Sequence, residues 1–311
     1  MLVVKHAANV PQCAIAFEKL LLDANAPVGA YTNLLISHEQ SSRVIDDPRV
    51  KGVALTGSVA AGRTLAAWAG QNLKKSSMEL GGSDAFIVLE DADLDRTVPW
   101  AVWGRMVNAG QTCSAAKRFI VLESIADKFL ACFKHALEAL KPGDPMDEST
   151  THGPLCSEAA LLQLLAQVDA AVAAGATLLM GGKRIQRPGS FMQTTILCDN
   201  RPDNSAFREE FFGPVVSFFR VRNESEAIAL ANDSDFGLGG SVWTKDVARS
   251  LRVASHVDTG MMFINNLHSA DADLPFGGIK ASGFGRELGA MGIQEFVNKK
   301  LVRTAQIDAL A

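Results

Sequence analysis

Short apolar segments and longer amphipathic segments take turns along this chain, with glycine or proline at the changeovers, and this alternation leaves few folds open. An apolar strand at Leu2 to Val4 precedes a helical stretch with Phe17, Leu20, Leu21 and Ala24 on one face, then a Pro27-Val28-Gly29 break and another strand. The unit repeats with a strand over Val53 to Thr56, a turn at Gly57, a helix from about Ser58 towards Leu73, and a strand through Met78, Glu79 and Leu80 that stops at Gly81-Gly82. Phe86-Ile87-Val88-Leu89 opens further rounds that run to Ile264, and a glycine-punctuated tail from Gly278 ends on a strand-like piece at Lys300 to Val302. Strands separated by helices pair in parallel, because each helix carries the chain back across the sheet, so an α/β protein is expected. At 311 residues the chain exceeds what one core usually supports, and two globular units are expected.

Composition removes several classes of function. Hydrophobic residues make up 48% and charged residues 21%, ordinary for a globular protein, and no apolar run reaches bilayer-spanning length. Met1-Leu2-Val3-Val4-Lys5-His6 lacks the pattern of a secretory signal, so a cytoplasmic location is expected. The net charge of −4, with both signs dispersed, offers no basic stripe for nucleic acid. Five scattered cysteines without a CxxC pair indicate neither a disulfide framework nor a structural zinc site, and no metal is expected.

Three segments are placed to carry chemistry. Gly57-Ser-Val-Ala-Ala-Gly62 joins a strand to a helix, where amides and the helix dipole hold a phosphate oxygen, helped by the Ser58 hydroxyl. It also reads as a tight turn with a serine N-cap. Its near-match to the P-loop fails at Arg63, which stands where lysine reaches the β and γ phosphates. Cys113 lies in the small polar stretch Asn108-Ala-Gly-Gln-Thr-Cys113-Ser, which a substrate can approach, whereas Cys13 and Cys132 sit in apolar helical patterns. No histidine is clearly placed for a cysteine-histidine dyad, which leaves a carboxylate as the base. Glu79 ends an expected buried strand just before two glycines, where desolvation would raise its pKa into the range of a general base; the competing reading is a strand-end glutamate facing water.

Taken in order, Met78-Glu79-Leu-Gly-Gly82, Gly110-Gln-Thr-Cys113, Glu209-Glu210-Phe-Phe-Gly213-Pro214 and Pro275-Phe-Gly-Gly-Ile-Lys-Ala-Ser-Gly283 resemble the successive signatures of the aldehyde dehydrogenase superfamily across essentially the whole chain. Lys5-His-Ala-Ala-Asn-Val-Pro11, Leu80-Gly-Gly-Ser-Asp84, Ala115-Ala-Lys-Arg-Phe119 and Gly283-Phe-Gly-Arg-Glu287 look most like its bacterial succinate semialdehyde dehydrogenases.

The resemblance implies an aldehyde dehydrogenase fold: an incomplete Rossmann-like cofactor domain over residues 1–81, an α/β catalytic domain over 82–280, and a C-terminal tail over 281–311 with an oligomerisation strand. It implies that Cys113 attacks an aldehyde to give a thiohemiacetal and then a thioester, and that Glu79 activates the hydrolytic water. It gives Glu210 the nicotinamide ribose, Phe212 the nicotinamide ring, Thr56, Gly57 and Ser58 the cofactor phosphates, Lys5 the adenosine ribose, and Leu80 a cofactor contact. NAD or NADP is the implied cofactor. The glutamate that often favours NAD, three residues after the lysine, is Ala8 here, which leaves the 2′-phosphate of NADP acceptable. A distal substrate carboxylate wants a guanidinium or hydroxyl donors, for which Arg105, Arg118 and the Asn266 to Ser269 loop are the candidates. Some members of this specificity carry arginine where Val107 stands.

Family members have a long portion before the lysine that Lys5 resembles, including half of the cofactor domain and the asparagine that helps hold the oxyanion. Losing one such donor costs about a hundredfold to a thousandfold in rate. Two expectations follow: an NAD(P)-dependent aldehyde dehydrogenase represented by part of its chain, forming homo-oligomers at full length, or a catalytically silent remnant that binds nucleotide or partner subunits. An acylating enzyme that passes the thioester to coenzyme A is disfavoured by Glu79, whose work is hydrolysis.

Overall fold

Strands and helices alternate as the sequence leads one to expect, and a computed structural model of the chain describes them over residues 1–267 and 271–307. The chain divides into one unit of residues 1–53 and 66–76 and another of residues 54–65 and 77–311.

In the first unit, β1 (Leu2–Val4) pairs in parallel with β2 (Tyr31–Asn33) across α1 (Pro11–Asp23). Proline at the first position of α1 suits a helix start, where its missing N–H costs nothing. Helix α2 (His38–Asp46) opens on a capping box in which Ser37 and Gln40 exchange side-chain and backbone hydrogen bonds. The apolar face expected on α1 is only partly used. Phe17 packs on Tyr31 with ring centroids 5.4 Å apart, while Leu20 is 61% exposed, because two short strands offer too little surface to cover a thirteen-residue helix.

Strand β3 (Gly52–Thr56) and helix α3 (Val59–Gln71) contribute residues to both units, and β4 (Lys75–Glu79) follows. The rest of the second unit is built on β5 (Asp84–Val88), α4 (Leu94–Met106), β6 (Ala116–Leu122), α5 (Glu123–Glu138), α6 (Glu158–Ala173), β7 (Thr177–Met180), β8 (Thr195–Cys198) and β9 (Val215–Val221). It continues through α7 (Glu224–Asn232), β10 (Phe236–Gly237), β11 (Gly240–Trp243), α8 (Val247–His256), β12 (Phe263–Ile264), β13 (Ile279–Lys280) and β14 (Gly283–Phe284). A seven-stranded sheet has the order β12-β11-β5-β6-β9-β8-β7, parallel except at the edge strand β7.

Helices cover both faces of this sheet, so its central strands are apolar throughout rather than alternating. Phe86, Val88, Phe119, Val121 and Phe218 point to one face, against Phe129 and Phe133 of α5. Their alternate neighbours Ala85, Ile87, Ile120, Leu122 and Phe219 point to the other, against Ala227 of α7 and Val253 of α8. The first face is an aromatic cluster, with Phe119 4.7 Å from Phe133 and Phe86 4.9 Å from Trp243, centroid to centroid.

At the chain's end, Leu301 is 89% and Val302 73% exposed, and among the described residues no strand is paired with the expected strand-like piece at Lys300–Val302. Among the described residues no helix is long and apolar enough to cross a membrane.

Candidate active site

Because β11, β5, β6 and β9 run parallel, the segments entering them meet at one edge of the sheet. Leu80 to Ser83 leads into β5, Asn108 to Ala115 into β6, Glu210 to Pro214 into β9, and Gly237 to Gly239 into β11. The first three of the four family-like motifs are therefore brought together by the parallel sheet. The assembly lies at the amino ends of the strands, whereas ligands of open parallel sheets usually lie beyond the carboxyl ends.

Cys113 sits on a turn that the sequence holds firmly. After α4 a single 3-10 turn, Val107–Gly110, carries two successive non-glycine residues with positive φ, Asn108 at 53° and Ala109 at 55°. Such strain persists only where surrounding bonds over-determine the backbone. Here Asn108 Nδ2 donates to the Gln111 carbonyl at 3.1 Å and Gln111 Nε2 returns a bond to the Asn108 carbonyl at 3.0 Å. The Cys156 amide donates to Gln111 Oε1 at 2.8 Å, tying in the loop before α6. Gly110 is required by contact as well as by its φ of +78°: a Cβ there would stand 2.4 Å from the Gly213 carbonyl oxygen.

The thiol of Cys113 is half-buried, unlike the exposed Cys13, Cys132 and Cys156 and the buried Cys198. The apolar helical settings expected for Cys13 and Cys132 are thus corrected: both lie on outward helix faces. Burial pushes the Cys113 thiol up, Lys117 pulls it down, and Asp84 and Glu210 push it up further. Burial likewise pushes the Cys198 thiol up, to about 11, which makes it inert.

Glu79 is the last residue of β4, 2% exposed, with neither carboxylate oxygen hydrogen-bonded to the protein. Desolvation, reinforced by Glu287 and opposed by Arg286, raises its carboxyl to about 8. The solvent-facing alternative is excluded by this burial. The glycine-rich motif explains how it arises. Strand β14 pairs antiparallel with β4, placing Gly283 opposite Glu79, and the Leu80 amide donates to the Ser282 carbonyl at 3.0 Å. A Cβ on Gly277 would lie 2.8 Å from Glu79 Oε1, so this glycine makes room for the carboxylate.

Gly81 and Gly82 knit the strand end to the nucleophile. The Gly82 amide donates to Glu210 Oε1 at 3.1 Å, and a Cβ at Gly82 would stand 2.5 Å from the Cys113 carbonyl oxygen. A Cβ at Gly81 would collide with Glu210 Oε2 at 2.1 Å. Phe212, 45% exposed, lines a cleft of about 1100 Å³ with Asn108, Gln111, Trp103 and Val107. Val107 thus presents an apolar side chain to this cleft.

The remaining expected residues fare differently. At the entry to α3, Thr56, Gly57 and Ser58 are exposed, which suits an anion at a helix N-terminus. The Gly57 amide, however, donates to the Glu79 carbonyl at 3.0 Å and the Ala61 amide to Ser58 Oγ at 3.3 Å, leaving the Ser58 hydroxyl and the Val59 and Ala60 amides as the donors for phosphate. Leu80 is buried against α3, where a Cβ on Gly62 would strike its Cδ1 at 2.5 Å. Lys5 follows β1 in the first unit, and its ammonium donates to the His6 carbonyl at 3.0 Å.

Arg105 and Arg118 are corrected. Arg105 is fully buried and donates to the carbonyls of Ala116, Gly110 and Phe211. Arg118 donates to the carbonyls of Ser83, Leu230 and Ala231 at 2.8 to 2.9 Å. Arg118 spends all three nitrogens on backbone, and Arg105 spends both terminal nitrogens there with its Nε buried, so neither presents an accessible edge to a substrate carboxylate. Ser269 lies outside the described residues. Among the described residues no cluster of three or more His, Cys, Asp or Glu side chains is placed to hold a metal ion.

Two buried charges escaped the sequence reading. Lys117, 2% exposed, donates to the Thr112 and Cys113 carbonyls and pairs with Glu210 Oε1 at 3.1 Å. Asp84, raised to about 6 by burial against the pull of Lys117, the Gly239 amide and Arg118, accepts from Gly239 at 3.0 Å. The available signal was Lys117, beside Arg118, in a strand, Ala116–Leu122, whose other residues are apolar.

A parallel α/β sheet with a cysteine turn, a dry carboxyl and a carboxylate-bearing loop at one edge defines the class, and the chain belongs to the aldehyde dehydrogenase family, whose sequence profile matches residues 1–302. It is 52% identical over 299 residues to the succinate-semialdehyde dehydrogenase [NADP(+)] of Deinococcus radiodurans, covering 96% of this chain and 63% of that one. A probable succinate-semialdehyde dehydrogenase [NADP(+)] of Synechocystis is 48% identical, with 96% and 66% covered. The crystal structure of succinic semialdehyde dehydrogenase from Streptococcus pyogenes in complex with NADP+ superposes with a TM-score of 0.95 at 46% identity, over 97% of this chain and 66% of that one. The chain therefore spans just under two thirds of the length of these relatives and has the aldehyde dehydrogenase fold.

Proposed function

We propose that this chain carries the nucleophile, the base and part of the cofactor site of an NADP-dependent oxidation of succinate semialdehyde to succinate. The observation that carries the reading is the junction at Gly82, which lies against the Cys113 carbonyl, donates to Glu210 and follows Glu79 by three residues. The substrate and cofactor rest on the names of the relatives, and Ala8, at the position where a glutamate would repel a 2′-phosphate, agrees with NADP.

In this reading Cys113 Sγ bonds to the aldehyde carbon, and the acyl group it carries after oxidation leaves by hydrolysis. A bound nicotinamide supplies the hydride acceptor. Glu210, whose carboxylate is 18% exposed, and Phe212 face the nicotinamide end, and the Ser58 turn takes a phosphate. Glu79, ionised, removes a proton from the attacking water, and its high pKa makes it a competent base near neutral pH. Self-association at full length belongs to the same reading, with the exposed Leu301 and Val302 as its apolar surface.

The test is to purify the 311-residue chain beside Cys113→Ala and a version extended upstream, and to follow NADPH formation with succinate semialdehyde. Cys113-dependent NADPH formation supports the reading. Formation only in the extended version assigns catalysis to the longer protein and makes this chain a silent part of it. None in either version overturns the substrate assignment.

A further inference from the structure

We propose that Lys117 is the positioning residue of the nucleophile: its buried ammonium holds the Cys113 turn through two backbone carbonyls and is the cation that serves the thiol in place of a histidine. The inference rests on reading Cys113 as the nucleophile.

The ammonium has three protons and three acceptors. It donates to the Thr112 carbonyl at 2.9 Å and the Cys113 carbonyl at 2.8 Å, and pairs with Glu210 Oε1 at 3.1 Å. A lysine is costly to bury, and it is retained only where its charge and donors are matched. Two of the partners belong to the nucleophile's own turn, so the charge fixes the backbone from which Sγ projects. The third is the carboxylate of the loop before β9, so one ammonium links two motifs that lie far apart in sequence.

The charged groups facing Cys113 come from three segments: Lys117 on β6, Asp84 on β5 and Glu210 before β9. Lys117 is the positive one among these three. Arg105 from α4 acts on Lys117 and is occupied by carbonyls. The ionised thiol is favoured by the Lys117 cation, whose charge Glu210 shares, and by the Ser114 amide. Removing the ammonium and removing Glu210 should move the thiol in opposite directions, an effect that a merely structural lysine does not produce.

The measurement is the pH dependence of iodoacetamide modification at Cys113, read on its peptide by mass spectrometry in the 311-residue chain without aldehyde or cofactor. In Lys117→Met the apparent pKa rises by about one unit or more and modification near neutral pH slows about tenfold. Lys117→Arg, which keeps the charge, recovers most of the rate. In Glu210→Gln the apparent pKa falls. A Lys117→Met profile that superposes on the unmodified chain's overturns the proposal. If Lys117→Met does not fold, Lys117→Gln is read in its place, and a profile that superposes on the unmodified chain's overturns the proposal. Because no turnover is measured, a failure here is distinct from a failure of the oxidation assay.

Discussion

Replacing Glu79 by glutamine should change how stability depends on pH, and the size follows from the burial of its carboxyl. Both oxygens lack a hydrogen-bond partner in a residue that is 2% exposed, and the carboxyl rises from 4.5 to about 8. Below about pH 4.5 the folded and unfolded chains are both protonated here, and the full stability is present. Between about 4.5 and about 8 the folded chain keeps a proton that the unfolded chain has released, so stability falls as pH rises; above about 8 the loss is complete. At 1.36 kcal/mol per pH unit the swing is at most about 5 kcal/mol, and about 2–5 kcal/mol once water relaxes around the ionised group. Urea unfolding of the chain and of Glu79→Gln, followed by fluorescence of the buried Trp243, should show the variant gaining on the original by that amount between about pH 5 and about pH 9. The amide's own packing adds only a pH-independent offset, so the slope is the observable. Parallel stability curves would mean that Glu79 is solvated in solution, and the dry-base reading would fail.

Arg118→Ala leaves the carbonyls of Ser83, Leu230 and Ala231 without their donor and should cost about 3–5 kcal/mol of stability. A version that is stable but has a raised KM for the aldehyde would instead restore Arg118 as a substrate residue. Gly82→Ala places a methyl 2.5 Å from the Cys113 carbonyl oxygen and should displace the nucleophile, lowering NADPH formation in an active version about a hundredfold or more. Full activity in that variant would show that the junction tolerates a side chain.

The sequence by itself determined the parallel sheet, because strands alternate with helices along the chain and a run such as Phe86–Leu89, apolar at both parities, fits a strand covered on two faces. It also determined the order of the motifs and, at Glu79, a carboxyl at a strand end beside two glycines. These are local facts, fixed by periodicity and by what glycine permits. Tertiary structure decided which buried donor meets which acceptor. Arg105 and Arg118 read equally well as substrate ligands until the fold showed their guanidinium groups closing on backbone carbonyls, in one case 112 and 113 residues away. Lys117 read as one more charge until Glu210 and the Cys113 turn closed around it, and the Gly82 amide met Glu210 across 128 residues. Periodicity says which way a side chain points relative to its own strand, but the partner of a buried charge comes from another strand, and only the packed sheet brings the two together.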